Sequence, residues 1–212
     1  MRKHIILSIA MSLLWGGCSF TGKKSENMDK RLIEYVDPFI GTAGHGHTFP
    51  GAAVPFGMVH VSPDTGLEGW DWCSGYHYSD SSIIGFSHTH LSGTGRSDLM
   101  DVLIMPFTGG VKLQSGTKEN PDAGYRSRFS HDKEWASPGY YKVNLSDYDI
   151  TAELTATPRC GFHKYTFSKS DSAHIILDLS HHYSTDSIKE LTLDIKDNHM
   201  ITGIRKTKGW GD

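Results

Sequence analysis

The stretch GYYKVNLSDYDITAELTATPRCGFHKYTF, residues 139–167, decides the fold. Within it Tyr141, Val143 and Leu145 alternate with Lys142, Asn144 and Ser146; residues 150–155 alternate again, and a third run extends from Gly161 to Phe167. Successive side chains of a strand point to opposite faces, so a period of two describes strands buried on one side only. Ser146-Asp147 and Thr157-Pro158 fall between the runs, where turn residues belong. Three short strands joined by tight turns make an antiparallel meander.

The same reading extends in both directions. Residues 174–179 form a nearly continuous apolar strand, Leu191, Leu193 and Ile195 repeat the period of two, and residues 199–204 follow a turn at Asp197-Asn198. Upstream, Met58-Val59-His60-Val61, Ile83-Ile84-Gly85-Phe86 and the run from Val102 to Met105, closed by Pro106, read as buried strands. Long loops rich in glycine, histidine and aromatic residues separate them, as befits functional loops. Residues 108–138 are more polar and read as a loop excursion with a turn at Asn120-Pro121-Asp122. No long amphipathic helix and no internal repeat interrupts the pattern. The expected fold is all-β, an antiparallel β-sandwich of supersandwich-like type with long functional loops.

The first 17 residues read as a lipoprotein-type signal peptide. Arg2 and Lys3 supply a positive start, and residues 5–14 form a largely apolar run, too short for the ~20 residues that span a bilayer. Leu14-Trp15-Gly16-Gly17-Cys18 resembles a lipobox, which makes Cys18 the expected lipidation site, although Trp15 occupies the usual aliphatic position; plain secretion is the second reading. Residues 18–31 are polar and aperiodic, a flexible tether, and residues 32–212 form the sandwich domain. The tether lacks an acidic run after Cys18, which favours the periplasmic side over surface display; the expected location is the periplasm or outer membrane, with the membrane reached only through the lipid. The chain stops at Asp212, just after a strand and with an apolar Trp210 near its end, and so reads as the front part of something longer.

The 212 residues carry a formal net charge of −3 and contain no basic patch, so nucleic acid is not an expected partner. With Cys18 lipidated, Cys73 and Cys160 remain; they either pair in an oxidising compartment or stay as separate thiols. No cysteine and histidine spacing of a zinc site occurs.

Four segments hold the candidate chemistry: residues 41–51, residues 70–78, residues 85–95, and the run from Arg126 to Tyr141 that ends in Ser137-Pro138-Gly139-Tyr140-Tyr141. His45 and His47, like His88 and His90, are spaced i, i+2, which puts both rings of a pair on one face of a strand. Such pairs bind metals when a carboxylate follows at set spacing, but Thr48-Phe49-Pro50 and Leu91-Ser92-Gly93 stand there instead. Hydrogen bonding to a polar ligand or to loop backbone is the better reading, and no metal site is expected. Trp70 and Trp72 share a face if their segment is extended, and an exposed indole with neighbouring polar groups suits the apolar face of a sugar; the alternative is that both are core residues, and one of the two is expected to be so. Gly93-Thr94-Gly95 lacks the Lys-Ser/Thr of a phosphate loop, and Ser87 and Cys73 lie in no nucleophile motif.

The motifs Tyr35-Val36-Asp37-Pro38-Phe39-Ile40-Gly41-Thr42, His45-Gly46-His47-Thr48-Phe49-Pro50-Gly51-Ala52, Val54-Pro55-Phe56-Gly57-Met58 and Ser62-Pro63-Asp64 resemble, in order, the N-terminal domain of glycoside hydrolase family 92. Trp72 to Tyr78, Ile84 to Gly95, Ser137 to Tyr141, residues 152–157 and Gly161-Phe162-His163 continue the resemblance over residues 34–182, with Arg96-Ser97 as a departure. The resemblance implies an exo-acting, calcium-dependent, inverting α-mannosidase that trims glycans, in which an N-terminal sandwich packs with a C-terminal α/α-barrel around the active site. It implies that the general acid, the general base and most calcium ligands come from the barrel, so no catalytic residue is expected in this chain. The domain's share would be to wall the sugar pocket with Trp72, Cys73, Ser74, His45, His47, His88, His90, Gly93, Thr94 and Asp98. Asp64 and Asp71 are further carboxylates near these loops, with turn capping or pairing to Arg96 as their ordinary role. The expected partners are a mannose-containing glycan and the barrel. A stand-alone carbohydrate-binding lipoprotein is the alternative, and a structural envelope lipoprotein a third reading.

Overall fold

The structure, a computed structural model, describes residues 31–97 and 99–210. The signal peptide, Cys18, the tether up to residue 30 and Asp98 lie outside the described residues. In chain order the strands are β1 (Ala52–Ala53), β2 (His60–Asp64), β3 (Ser82–Ile83), β4 (Gly85–Ser87), β5 (Leu103–Thr108), β6 (Ser127–Arg128), β7 (Glu134–Ser137), β8 (Tyr140–Leu145), β9 (Ile150–Ala156), β10 (Gly161–Phe167), β11 (Ala173–Asp178), β12 (Ser187–Ile195) and β13 (Ile201–Lys208). They assemble as a five-stranded sheet in the order β1-β2-β4-β5-β11 and a four-stranded sheet in the order β10-β9-β8-β7. Two short pairs, β3-β6 and β12-β13, complete the set. Every pairing is antiparallel, and the chain is an all-β sandwich.

The meander forms as its alternation requires. Tyr141 pairs with Leu154, Val143 with Ala152 and Leu145 with Ile150, and all six are buried. Against them the other sheet places Val61, Phe86, Leu103, Met105 and Phe107, and the two sets close one core. Full burial of one such aliphatic side chain contributes about 1.5–3 kcal/mol. A slip of one residue in this register would turn every core side chain of the moved strand to water. The β8-β9 turn is closed by Asp149 at φ 49°, a left-handed position that a short polar side chain tolerates.

Three segments differ from their sequence reading. The run Ile83-Ile84-Gly85-Phe86 is split between β3 and β4, which belong to different sheets. The excursion over residues 108–138 contains β6 and β7 as well as a 3-10 turn at Pro121–Ala123. Strand β11 is apolar without being buried: it lies at the sheet edge and Ile175 is exposed. With Leu191 and Leu193 of β12 and Ile201 and Ile204 of β13 it lines a groove of about 570 Å³.

Candidate functional site

Three loops far apart in sequence meet above the five-stranded sheet. In the first, Thr48 N donates to Gly41 O at 3.3 Å and Thr48 Oγ1 to Ile40 O at 2.9 Å. Folded back on itself, the loop holds His47 at φ 53° with its ring buried, and leaves His45 exposed. The second segment, Trp70–Trp72, is a 3-10 turn. The third, residues 88–97, follows β4 and is tied to the first by Gly93 N donating to His47 O at 2.6 Å.

Trp70 is where they converge. Its ring lies 5.0 Å from that of His45 and 4.4 Å from that of His47. Its Nε1 donates to Gly95 O at 3.0 Å, and the indole remains more than half exposed. Asp71 Oδ1 sits 2.5 Å from His45 Nδ1 and 3.8 Å from His47 Nε2. The hydrogen bond from His45 holds the Asp71 carboxyl below its usual range. His47 Nε2 is buried and has no hydrogen-bond partner among the described residues. A buried polar atom without a partner is costly unless something outside the protein completes it.

The candidate residues divide between this surface and the interior. His45, His47, Gly93 and the neighbouring Gly95 belong to the cluster, and Thr94 caps the loop by accepting from Arg96 N at 3.2 Å. Trp72 turns away. In a 3-10 turn successive residues are about 120° apart, so Trp70 and Trp72 do not share a face as an extended segment would have given. The Trp72 ring carries Lys118 Nζ 3.8 Å above it, and its Nε1 donates to Asp80 Oδ2 at 2.6 Å. Gly66 runs beneath the indole so closely that a Cβ there would sit 2.4 Å from Trp72 Cδ1. Cys73 is buried, its Sγ donating to Trp70 O at 2.8 Å, and burial pushes its thiol pKa up. Ser74 Oγ donates to Thr48 O at 3.1 Å and so staples the first loop to the second. Cys73 and Cys160 are both free thiols.

His88 and His90 also part company, because β4 ends at Ser87 and the chain bends between them. His90 is buried, its Nδ1 2.7 Å from His60 O and its Nε2 2.8 Å from Asp64 Oδ1. His181 Nε2 donates to the other oxygen of Asp64 at 2.8 Å. Burial alone would raise the Asp64 carboxyl, but the charge of His90 and the hydrogen bonds of both rings outweigh it and hold the acid well below the carboxylate range. Gly75, at φ +83°, makes room for this network, since a Cβ there would lie 2.2 Å from Asp64 Oδ1. Asp64 and Asp71 thus serve histidines rather than capping turns or pairing with Arg96. His88 donates from Nδ1 to Val102 O at 2.6 Å. Its Nε2 lies 3.0 Å from His163 Nε2, and His163 Nδ1 accepts from Tyr165 Oη at 2.7 Å.

Trp70, His163 and His181 were not among the expected site residues. Trp70 was within reach of sequence reasoning, standing beside Asp71, but the helical turn that separates it from Trp72 has no signal in the apolar pattern. His181 lies 117 residues from its partner Asp64, and only the fold connects them. Calcium takes roughly six to eight oxygen ligands. Among the described residues no group of three or more His, Cys, Asp or Glu side chains is arranged to hold a metal ion, and no calcium ligand is assigned here.

The loops of this β-sandwich thus gather an exposed indole, two imidazoles and a carboxylate into one cluster. The chain belongs to glycosyl hydrolase family 92, whose N-terminal domain model matches residues 35–212. It is similar to the family 92 α-mannosidase BT3965 of Bacteroides thetaiotaomicron, solved in complex with mannoimidazole, at 49% identity and a TM-score of 0.83 over 86% of this chain and 24% of that one. It is also similar to the family 92 inverting mannosidase BT2199 of the same organism, at 30% identity and a TM-score of 0.56 over 74% of this chain and 21% of that one. An uncharacterized secreted glycosidase of Arthroderma benhamiae is 30% identical over 79% of this chain and 23% of its own length. The chain therefore spans about a quarter of the length of these relatives.

Proposed function

We propose that this chain is the sugar-holding N-terminal domain of an exported, calcium-dependent exo-α-mannosidase that hydrolyses terminal α-mannosides of glycans with inversion. One observation carries the reading: the loops of residues 41–51, 70–78 and 88–97 converge on an exposed Trp70 with His45, His47 and Asp71 around it. The indole offers a face to the C–H side of a mannose ring. His47 Nε2, buried without a partner among the described residues, and the Asp71 carboxylate are positioned to take its hydroxyls. Gly93 and Thr94 form the rim beside them; Asp98 lies outside the described residues and stays a proposed contact from the sequence. Cys73, Ser74, His90 and Trp72 support the wall from behind.

Inversion requires a general acid and a general base with a water between them, their carboxyls about 6.5–9.5 Å apart. The carboxylates near the cluster are unsuited to either role. Asp64 is enclosed between two histidines and held ionised, and Asp71 is bound to His45. We assign the acid, the base and most of the calcium ligands to an α/α-barrel, in the part of the relatives that this chain does not span. Assayed on 4-nitrophenyl α-D-mannopyranoside, the 212-residue chain is expected to release no nitrophenol; measurable turnover would overturn this division of labour.

The leader and Cys18 support export with a lipid anchor, in keeping with the secreted relative. Metabolic labelling of the expressing bacterium with a fatty acid is expected to mark the wild-type chain and not Cys18→Ala. An unlabelled wild-type chain recovered from the medium would reduce the claim to plain secretion.

A further inference from the structure

The outer face of the four-stranded sheet presents a second arrangement that the loop cluster does not use. Register places Trp135, Lys142, Glu153 and Lys164 in one row across β7, β8, β9 and β10, and Ser137, Tyr140, Thr155 and Phe162 in the next. Their neighbours in sequence, Tyr141, Val143, Ala152 and Leu154, face the core, so both rows face water. Three inter-strand spacings make the platform about 14 Å wide. A solvent-facing sheet surface is ordinarily polar, yet this one bears Trp135 and Phe162, 53% and 66% exposed, at opposite ends of its two rows.

Trp135 is held in that position. Its neighbour Glu134 is wholly buried and accepts from Tyr141 Oη at 2.6 Å, from Tyr76 Oη at 3.0 Å and from His131 Nδ1 at 2.6 Å. With Glu134 fixed inward on an edge strand, Trp135 must point outward. Tyr140 meets the indole edge to face, the rings 5.3 Å apart and inclined at 63°, and its hydroxyl is tied to Glu153. Two aromatic rings thus form a corner, part of a recess of about 620 Å³ that Asp132, Lys133 and Lys142 also line. Lys164 holds Glu153 at 2.8 Å in the same row.

We infer that this face is a second, non-catalytic carbohydrate-binding surface, which takes pyranose units of a polysaccharide or glycan chain. The chemistry matches on both counts. A pyranose has an apolar C–H face that stacks on an indole and a rim of hydroxyls that hydrogen-bond to lysine, carboxylate and threonine groups. A protein partner would favour a contiguous apolar patch, whereas here Lys142, Glu153 and Thr155 separate the Trp135–Tyr140 corner from Phe162. The surface shares no residue with the loop cluster, so it stands or falls independently of the function proposed above.

Affinity electrophoresis of the whole chain through native gels containing a soluble β-glucan or galactomannan, neither of which ends in α-mannose, tests the inference. The wild-type chain is expected to be retarded in at least one gel relative to a plain gel. Trp135→Ala should lose at least four-fifths of that retardation, and Lys142→Ala a smaller part. Trp135 is exposed, and an unchanged far-ultraviolet circular dichroism spectrum identifies a folded variant; if Trp135→Ala fails that criterion, Lys142→Ala and Phe162→Ala decide the matter. Undiminished retardation of the folded platform variants would overturn the proposal. So would a wild-type chain that no polysaccharide retards, which would leave the face to another partner.

Discussion

At the scale of single residues, the two tryptophans of one short turn have opposite fates. Trp72 is covered by Lys118, bonded to Asp80 and seated on Gly66, whereas Trp70 stands out among the histidines. Truncation of a buried tryptophan costs about 3–5 kcal/mol, and a half-buried one with a cation over its face should lose roughly 2 kcal/mol. Trp72→Ala is therefore expected to lower the urea midpoint clearly, and Trp70→Ala to leave it nearly in place. Equal midpoints for the two variants would contradict the assignment. This distinction was not legible in the sequence. Which face a tryptophan takes depends on whether residues 70–72 are extended or helical, and apolar spacing carries no information over three residues. The histidine pairs repeat the lesson. Spacing placed His88 and His90 together, but the end of β4 at Ser87 sends one toward His163 and the other toward Asp64.

At the scale of elements, the meander was the most readable part, because β8 and β9 bury one face and wet the other, residue by residue. Strands β11, β12 and β13 carry apolar residues that the core does not cover, and hydrophobic content alone could not reveal that. The joint between the two sheets is polar as well as apolar. His88, just past β4, meets His163 of β10, with Tyr165 beyond it. Burial depresses the His163 ring to about 3 and lowers His88 as well. The unfolded chain takes up a proton at each below about pH 6.5, and the fold refuses one at His163 until about pH 3. Stability from this joint is thus complete above about pH 6.5 and declines as pH falls from there toward 3. Asp64 acts lower, since its depressed carboxyl contributes above its unfolded value of about 3.9 and is lost beneath it. His163→Gln keeps a donor for His88 and removes the titrating ring. Its unfolding free energy, followed by urea titration between pH 7 and 4.5, should fall less steeply than that of the wild type; an unchanged slope would contradict the role given to this ring.

At the scale of the whole molecule, the chain is proposed as one wall of a site. The family, the sandwich and the clustering of loops agree, and the relatives are about four times as long. The resemblance of residues 34–182 carried the family and fold, and with them the expectation that cutting and holding are divided between domains. It did not distinguish the residues that meet the sugar from those that support them, because both kinds lie in the same motifs. The geometry separates a surface cluster from interior side chains, and the proposal puts Trp70 at the centre of that cluster. The most direct measurement follows the tryptophan indole N–H signals of the isolated chain by ¹H–¹⁵N correlation spectroscopy as methyl α-D-mannopyranoside is added. The account predicts a saturable shift of the Trp70 signal while that of Trp72 stays in place. A Trp70 signal that remains fixed as the sugar rises would contradict it.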